Sequence, residues 1–124
     1  MEKFILAQTA ETPSVCLDPE NGIYKIEGSS IPSDAGKFYV EISNWFIANS
    51  SQLNKPIKLA TNFDYFNSAT SKQILATIAK IADAIGKNNF CIEWHYEKED
   101  EDMLATGNRF AQLSGVRFEF VSIG

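Results

Sequence analysis

Between residues 57 and 85 the apolar pattern of the chain changes period. Ile57, Leu59, Thr61, Phe63 and Tyr65 alternate with Lys58, Ala60, Asn62 and Asp64. A period of two belongs to a strand with one apolar and one polar face. Beyond Ser71, the residues Ile74, Leu75, Ile78, Ile81, Ala82 and Ile85 recur on one side of a helical repeat, and Gly86 supplies a helix stop. A strand that runs almost directly into an amphipathic helix is the first half of a βαβ unit, so the chain must build a sheet with helices packed on it.

The rest of the sequence extends that unit. Val15, Cys16 and Leu17 are separated from Ile23, Tyr24 and Ile26 by Asp18-Pro19-Glu20-Asn21-Gly22. Proline presets one φ and Asn-Gly accepts the positive φ of a bend, so these runs form a hairpin, with Gly28 expected to end its second strand. Residues 4–9 add an edge strand or an arm. After Ile31-Pro32, Ser33 or Asp34 can cap a helix expected over 39–48, where Phe38, Ile42, Trp45 and Phe46 share a face. Residues 90–96 alternate as a strand, 97–102 form an acidic loop, 103–113 a third helix closed by Gly115, and 118–121 a last strand. The expected fold is α/β, a mixed sheet with the element order β-β-α-β-α-β-α-β.

The chain has 124 residues, enough for one core and too few for two, so residues 1–124 are expected to form a single domain. A net charge of −5 argues against non-specific attraction to nucleic acid or anionic membrane. The apolar run at Phe4-Ile5-Leu6 is too short for a signal peptide, and no segment approaches the apolar length of a membrane-spanning helix. A cytoplasmic protein without membrane insertion is expected. Cys16 and Cys91 match no zinc or CxxC spacing, which fits small buried thiols in a reducing compartment and no cofactor.

Three places could carry chemistry. His95, the only histidine, should share a strand side with Cys91, with Glu93 between them. Together with the acidic residues Glu97, Glu99, Asp100, Glu101 and Asp102 they frame one reading, a small metal-binding protein or enzyme. No second histidine, nucleophile–base pair or calcium-loop alternation supports it, and GxGxxG, P-loop and GxSxG are all absent. A satisfied strand histidine beside a solvated loop is the simpler account.

The third place is the junction "FDYFNSATSK". Asn67 or Ser68 can cap the helix that follows, which needs no further function. Yet Ala69, Thr70, Ser71 and Lys72 put no acid in the first turn, although free N–H groups and the helix dipole favour an anion there. A phosphate on Ser68 would bring about −1.5 to −2 charges to that end, with Lys72 one turn away. A capping serine and a phosphoacceptor are compatible roles. A plain interaction domain with a capped helix and no switch stands as the blander alternative.

In "TPSVCLDPENGIYKIEGSSIP", "FYVEISNWF", "FDYFNSATSK" and "IEWHYEKEDEDMLATGNRFAQL", in that order, the chain resembles the SiaC family of bacterial regulatory phosphoproteins. The resemblance implies a fold like that of STAS-domain anti-sigma factor antagonists and a non-enzymatic, partner-switching role in signal transduction. It implies a cognate protein kinase that modifies the hydroxyl after the motif asparagine, here Ser68, and a PPM-type phosphatase that removes the phosphate. It also implies that the unphosphorylated form binds a diguanylate cyclase and promotes cyclic di-GMP synthesis and biofilm formation. One departure is visible: the family pattern has threonine where this chain has Ser68, and serine where it has Ala69. Thr70 and Ser71 are secondary acceptor candidates. The expected partner surface comprises Tyr65, Asn67, Ser68 and Lys72, with Gln73, Thr77 and Lys80 on the polar face of the helix, and it can extend to the acidic loop.

Overall fold

The computed structural model describes residues 1–124. In chain order the elements are β1 (Phe4–Leu6), β2 (Ser14–Asp18), β3 (Ile23–Ser30), α1 (Ala35–Asn49), β4 (Ile57–Phe66), α2 (Ser68–Ile85), a single 3-10 turn (Lys87–Asn89), β5 (Phe90–Glu97), α3 (Glu101–Ser114) and β6 (Arg117–Ile123). All six strands form one sheet whose spatial order is the chain order. β1, β2 and β3 pair antiparallel, whereas β3 to β6 are parallel neighbours. The expected mixed α/β arrangement is therefore present, with residues 4–6 as a true edge strand.

Sequential parallel strands joined by right-handed crossovers step in one direction across a sheet, which sends every crossover helix to the same face. Burial follows: Ile57, Leu59, Thr61 and Phe63 of β4 are buried, while Lys58 and Asp64 are exposed. The opposite face stays open and carries Lys25, Glu27, Lys58, Glu93, His95 and Glu119. No helix is long and apolar enough to cross a membrane.

Helix starts are set by caps rather than by the first apolar residue. Asp34 accepts from the Lys37 N–H at 3.0 Å, so α1 begins four residues before its apolar stripe suggests. Asp100 accepts from the Met103 N–H at 3.0 Å, and Glu101 and Asp102 fill the first turn of α3. Half of the expected acidic loop is thus a helix start, where negative charge favours the dipole. Nor does Gly28 end β3. The strand continues to Ser30 through a register shift, because Gly28 adopts φ 120° there and leaves room for the Gln8 side chain against it.

Two buried contacts fix the helices. The Tyr39 hydroxyl lies 2.6 Å from Ser30 Oγ, joining the start of α1 to the end of β3, and burial pushes the Tyr39 pKa up, so the phenol stays neutral. On the other side Trp94, 1% exposed, donates its Nε1–H to the Met103 carbonyl at 3.1 Å. Trp94 also carries an aromatic cluster, with ring centroids 5.9 Å from Phe63, 5.7 Å from Phe110 and 5.8 Å from Phe118. Above the indole α3 presents Gly107, where a methyl group would stand 2.5 Å from Trp94 Nε1 and 2.9 Å from Phe120.

Two consequences can be measured. Ordinarily Gly→Ala inside a helix gains about 0.5–1 kcal/mol. At Gly107 the forced shift of Trp94 costs about 1–3 kcal/mol, so Gly107→Ala should lower the urea midpoint, and a raised midpoint would refute the contact. The raised pKa of Tyr39 means that its stabilising contribution is complete below the unfolded value of about 10 and is lost as pH rises further. Tyr39→Phe, though less stable at neutral pH, should show a shallower alkaline decline in chemical denaturation.

Candidate functional site

The junction between β4 and α2 is shaped by the register shift beside it. Gly28 pairs with Phe63 but Ser29 pairs with Tyr65, so Asp64 is skipped in the ladder. A skipped residue reverses which side chains face the core. Tyr65, which plain alternation places on the apolar face, is 58% exposed. Phe66 turns inward instead, 5.2 Å from Phe63 and stacked on Phe110 of α3 at 6.2 Å and 18°. The residue before Asn67 is thereby anchored to α3 and to the Trp94 indole of β5.

Asn67 then caps α2. Its side-chain oxygen accepts from the Thr70 N–H at 2.9 Å, and its carbonyl accepts from the Ser71 N–H at 2.9 Å. Ser68 is the first helical residue and is exposed, and its hydroxyl is not consumed in capping. α1 and α3 are capped by the carboxylates of Asp34 and Asp100, whereas α2 has a neutral cap and no acid in its first turn. Its positive end is left uncompensated.

Beside Ser68 runs a groove of about 440 Å³. One wall is Ser68, Ser71, Lys72 and Leu75 of α2; the other is Thr106, Arg109, Phe110 and Leu113 of α3. Both sets have the i, i+3, i+4, i+7 spacing of a single helix face. No carboxylate lines the groove. The ion pairs of the chain join Lys58 and Arg117 to Glu93 and Glu119, with His95 hydrogen-bonded to Glu93, and neither Lys72 nor Arg109 takes part in one.

Of the expected surface residues, Tyr65, Asn67, Ser68, Lys72 and Lys80 are exposed, and Ser71 and Gln73 are half-buried. Gln73 approaches Gly36 of α1, on the flank away from the groove. Two expectations need correction. Thr77 is buried and donates its hydroxyl to the Gln73 carbonyl at 2.7 Å, so it lies outside the polar face. Thr70 is fully buried, with a hydroxyl that finds no partner, and offers no accessible acceptor. Both fall on the stripe of Ile74, Ile78 and Ile81, where helical phase outweighs side-chain polarity.

Cys91, Glu93 and His95 do share one side of β5, on the open face of the sheet. His95 Nε2 lies 2.7 Å from Glu93 Oε1, and Lys58 Nζ lies 2.8 Å from Glu119 and 3.6 Å from Glu93. The Lys58 ammonium holds the Glu119 carboxyl below its usual range, and desolvation pushes the Cys91 thiol up, away from a reactive thiolate. No three His, Cys, Asp or Glu side chains converge as a metal site would need, so the metal reading gains no geometric support. The second wall of the groove, Arg109 above all, escaped sequence reasoning. Nothing in "TGNRF" marks it until α3 is set beside α2.

Comparison with known proteins bears on the family and the fold. The family profile described as SiaC family regulatory phosphoprotein matches residues 6–123. A comparison with curated protein sequences found no match. Among solved structures, a chain in the crystal structure of diguanylate cyclase SiaD in complex with its activator SiaC from Pseudomonas aeruginosa superposes with a TM-score of 0.85 at 18% identity, covering 97% of this chain and 99% of that one. SiaC of Pseudomonas aeruginosa gives 0.84 at 18% identity over 99% and 100% of the two chains, and apo-SiaC from the same organism gives 0.83 at 18% over 98% and 99%. At such identity the superpositions establish a shared fold.

Cap and acceptor are separable by mutation. Asn67→Ala should cost about 1 kcal/mol in denaturant unfolding, the usual loss of a capping side chain. Ser68→Ala should stay within about 0.5 kcal/mol of the parent. A reversed order would make Ser68 the cap and remove the distinction.

Proposed function

The chain belongs to the SiaC family of regulatory phosphoproteins, and on that footing we propose that it is a non-enzymatic partner switch set by a phosphate on Ser68. The observation that carries the proposal is the start of α2, where an exposed serine hydroxyl, free of capping duty, sits on a helix end with no neighbouring acid. A dianionic phosphate there meets uncompensated N–H groups and the nearby Lys72, so the modified state is tolerated by the fold. The same charge transforms the surface around it. Binding of an output protein across Tyr65, Asn67, Ser68, Lys72, Gln73 and Lys80 then depends on whether the phosphate is present. Thr70 and Thr77, being buried, are not part of this surface. Ser71, half-buried on the groove wall, is the remaining secondary acceptor.

The output partner we propose is a diguanylate cyclase or a similar signalling protein, bound and activated by the unphosphorylated form. Support comes from the shared fold with the chain crystallised alongside SiaD. The two enzymes acting on the switch are a cognate protein kinase and a PPM-type phosphatase. Cyclic di-GMP output and biofilm control follow from that choice of partner, and the site of action is cytoplasmic. Phosphate works here by adding charge and desolvation cost at a binding surface, with the domain itself kept folded.

The test is intact-mass measurement after incubation with ATP and the cognate kinase, followed by peptide mapping and by titration against the cyclase. One phosphate is expected, on Ser68, and none on Ser68→Ala. Phosphorylated protein and Ser68→Glu should bind the cyclase at least about tenfold more weakly than the unmodified chain. Undiminished uptake by Ser68→Ala, or equal binding by both forms, would defeat the proposal.

A further inference from the structure

The α2–α3 groove contains more than a phosphoacceptor. β4, β5 and β6 are parallel, so α2 and α3 start from the same end of the sheet and run in the same direction. Side chains on a helix tilt toward its N-terminus. Lys72, one turn after Ser68, therefore leans toward the serine along α2, and Arg109 leans the same way from the facing wall. Both cations lack a carboxylate partner, and the groove between them is free of acids. On the open face of the sheet, by contrast, Lys58 and Arg117 share the carboxylate of Glu119. What sets this place apart is that two cations and one exposed serine line a single acid-free groove. A guanidinium fork fits the oxygens of a phosphate ester better than any other side chain does.

Resting on the reading of Ser68 as phosphoacceptor, we infer that its phosphate is held within the chain, clamped between Lys72 of α2 and Arg109 of α3. The clamp bridges the two helix faces across the groove and covers Leu75 and Leu113, of which Leu113 is 65% exposed without it. Modification thus removes a surface as well as adding a charge. Arg109 acts as a positioning residue: it touches the phosphate but takes no part in its transfer.

The experiment uses the full chain with phosphoserine installed at position 68 during synthesis, so that no kinase is needed. The phosphorus-31 signal is titrated between acidic and alkaline pH for the parent, for Arg109→Gln, and for Arg117→Gln as a control that removes the same charge from the open face of the sheet. Free phosphoserine has its second pKa near about 6. In the clamped protein it should lie lower, and Arg109→Gln should raise it by about one unit, with Arg117→Gln leaving it in place. Equal titration of the parent and Arg109→Gln, or equal shifts in both variants, would overturn the clamp. Thermal melting of the unmodified Arg109→Gln protein, expected to match the parent because Arg109 is exposed and unpaired, guards against misfolding as the cause. Failure of a kinase to modify Ser68 would overturn the switch, yet the titration would still report on the clamp.

Discussion

The seating of α3 on Trp94 governs much of what this fold can present. An indole nearly the size of the gap between sheet and helix lies flush under Gly107, and its N–H is spent on the Met103 carbonyl. Only a residue without a side chain lets the helix come so near, and only the missing Cβ lets the N–H reach backbone rather than be stranded in the core. From that contact outward the rings of Phe63, Phe66, Phe110 and Phe118 pack edge and face around one another. The height of α3 above the sheet, and hence the width of the channel separating it from α2, is fixed by this layer of aromatics.

The two faces of the sheet are built on opposed principles. The helical face is apolar and tightly packed, and the chain's stability resides there. The open face is a polar lattice in which Lys58, Glu93, His95 and Glu119 bridge β4, β5 and β6. Exposed ion pairs add little stability apiece. Their use is exclusion: alternating charges make that face a poor surface for another sheet to stack on. The borders are treated alike, since β1 is only three residues long and β6 carries Arg117 and Glu119 along its length. With one face filled and the other charged, the end of the sheet where β4 and β5 stop is where α2 and α3 start, and there backbone groups remain unspent.

Much of this was readable from residues alone, for definite reasons. The change of period across 57–85 identified β4 and α2 because each element buries one face over most of its length. The Asp34 cap and the Gly86 and Gly115 stops were readable because capping is local chemistry, whereas the Asp100 cap was hidden in what reads as an acidic loop. Misreadings arose where tertiary packing overruled local type. Thr77 looked like surface by composition, yet its phase buries it and its hydroxyl is satisfied by the turn below. Tyr65 continued a faultless alternation, and only the skipped Asp64 in the ladder, a property of two strands together, shows that it faces out. Arg109 was illegible for a related reason: its meaning comes from a neighbouring helix far away in sequence.

The skipped residue also sets an angular phase. Each residue advances a helix by about 100°, so the face that α2 shows to α3 is determined by which residue of β4 last enters the core. Because Asp64 is passed over, Phe66 rather than Tyr65 takes that last place, and α2 starts rotated so that Ser68 and Lys72 look across at Arg109. Strand parity and helix azimuth are thus geared together. A one-residue deletion near Asp64, harmless by composition, would turn the serine toward a different neighbour while leaving every element of the fold in its place.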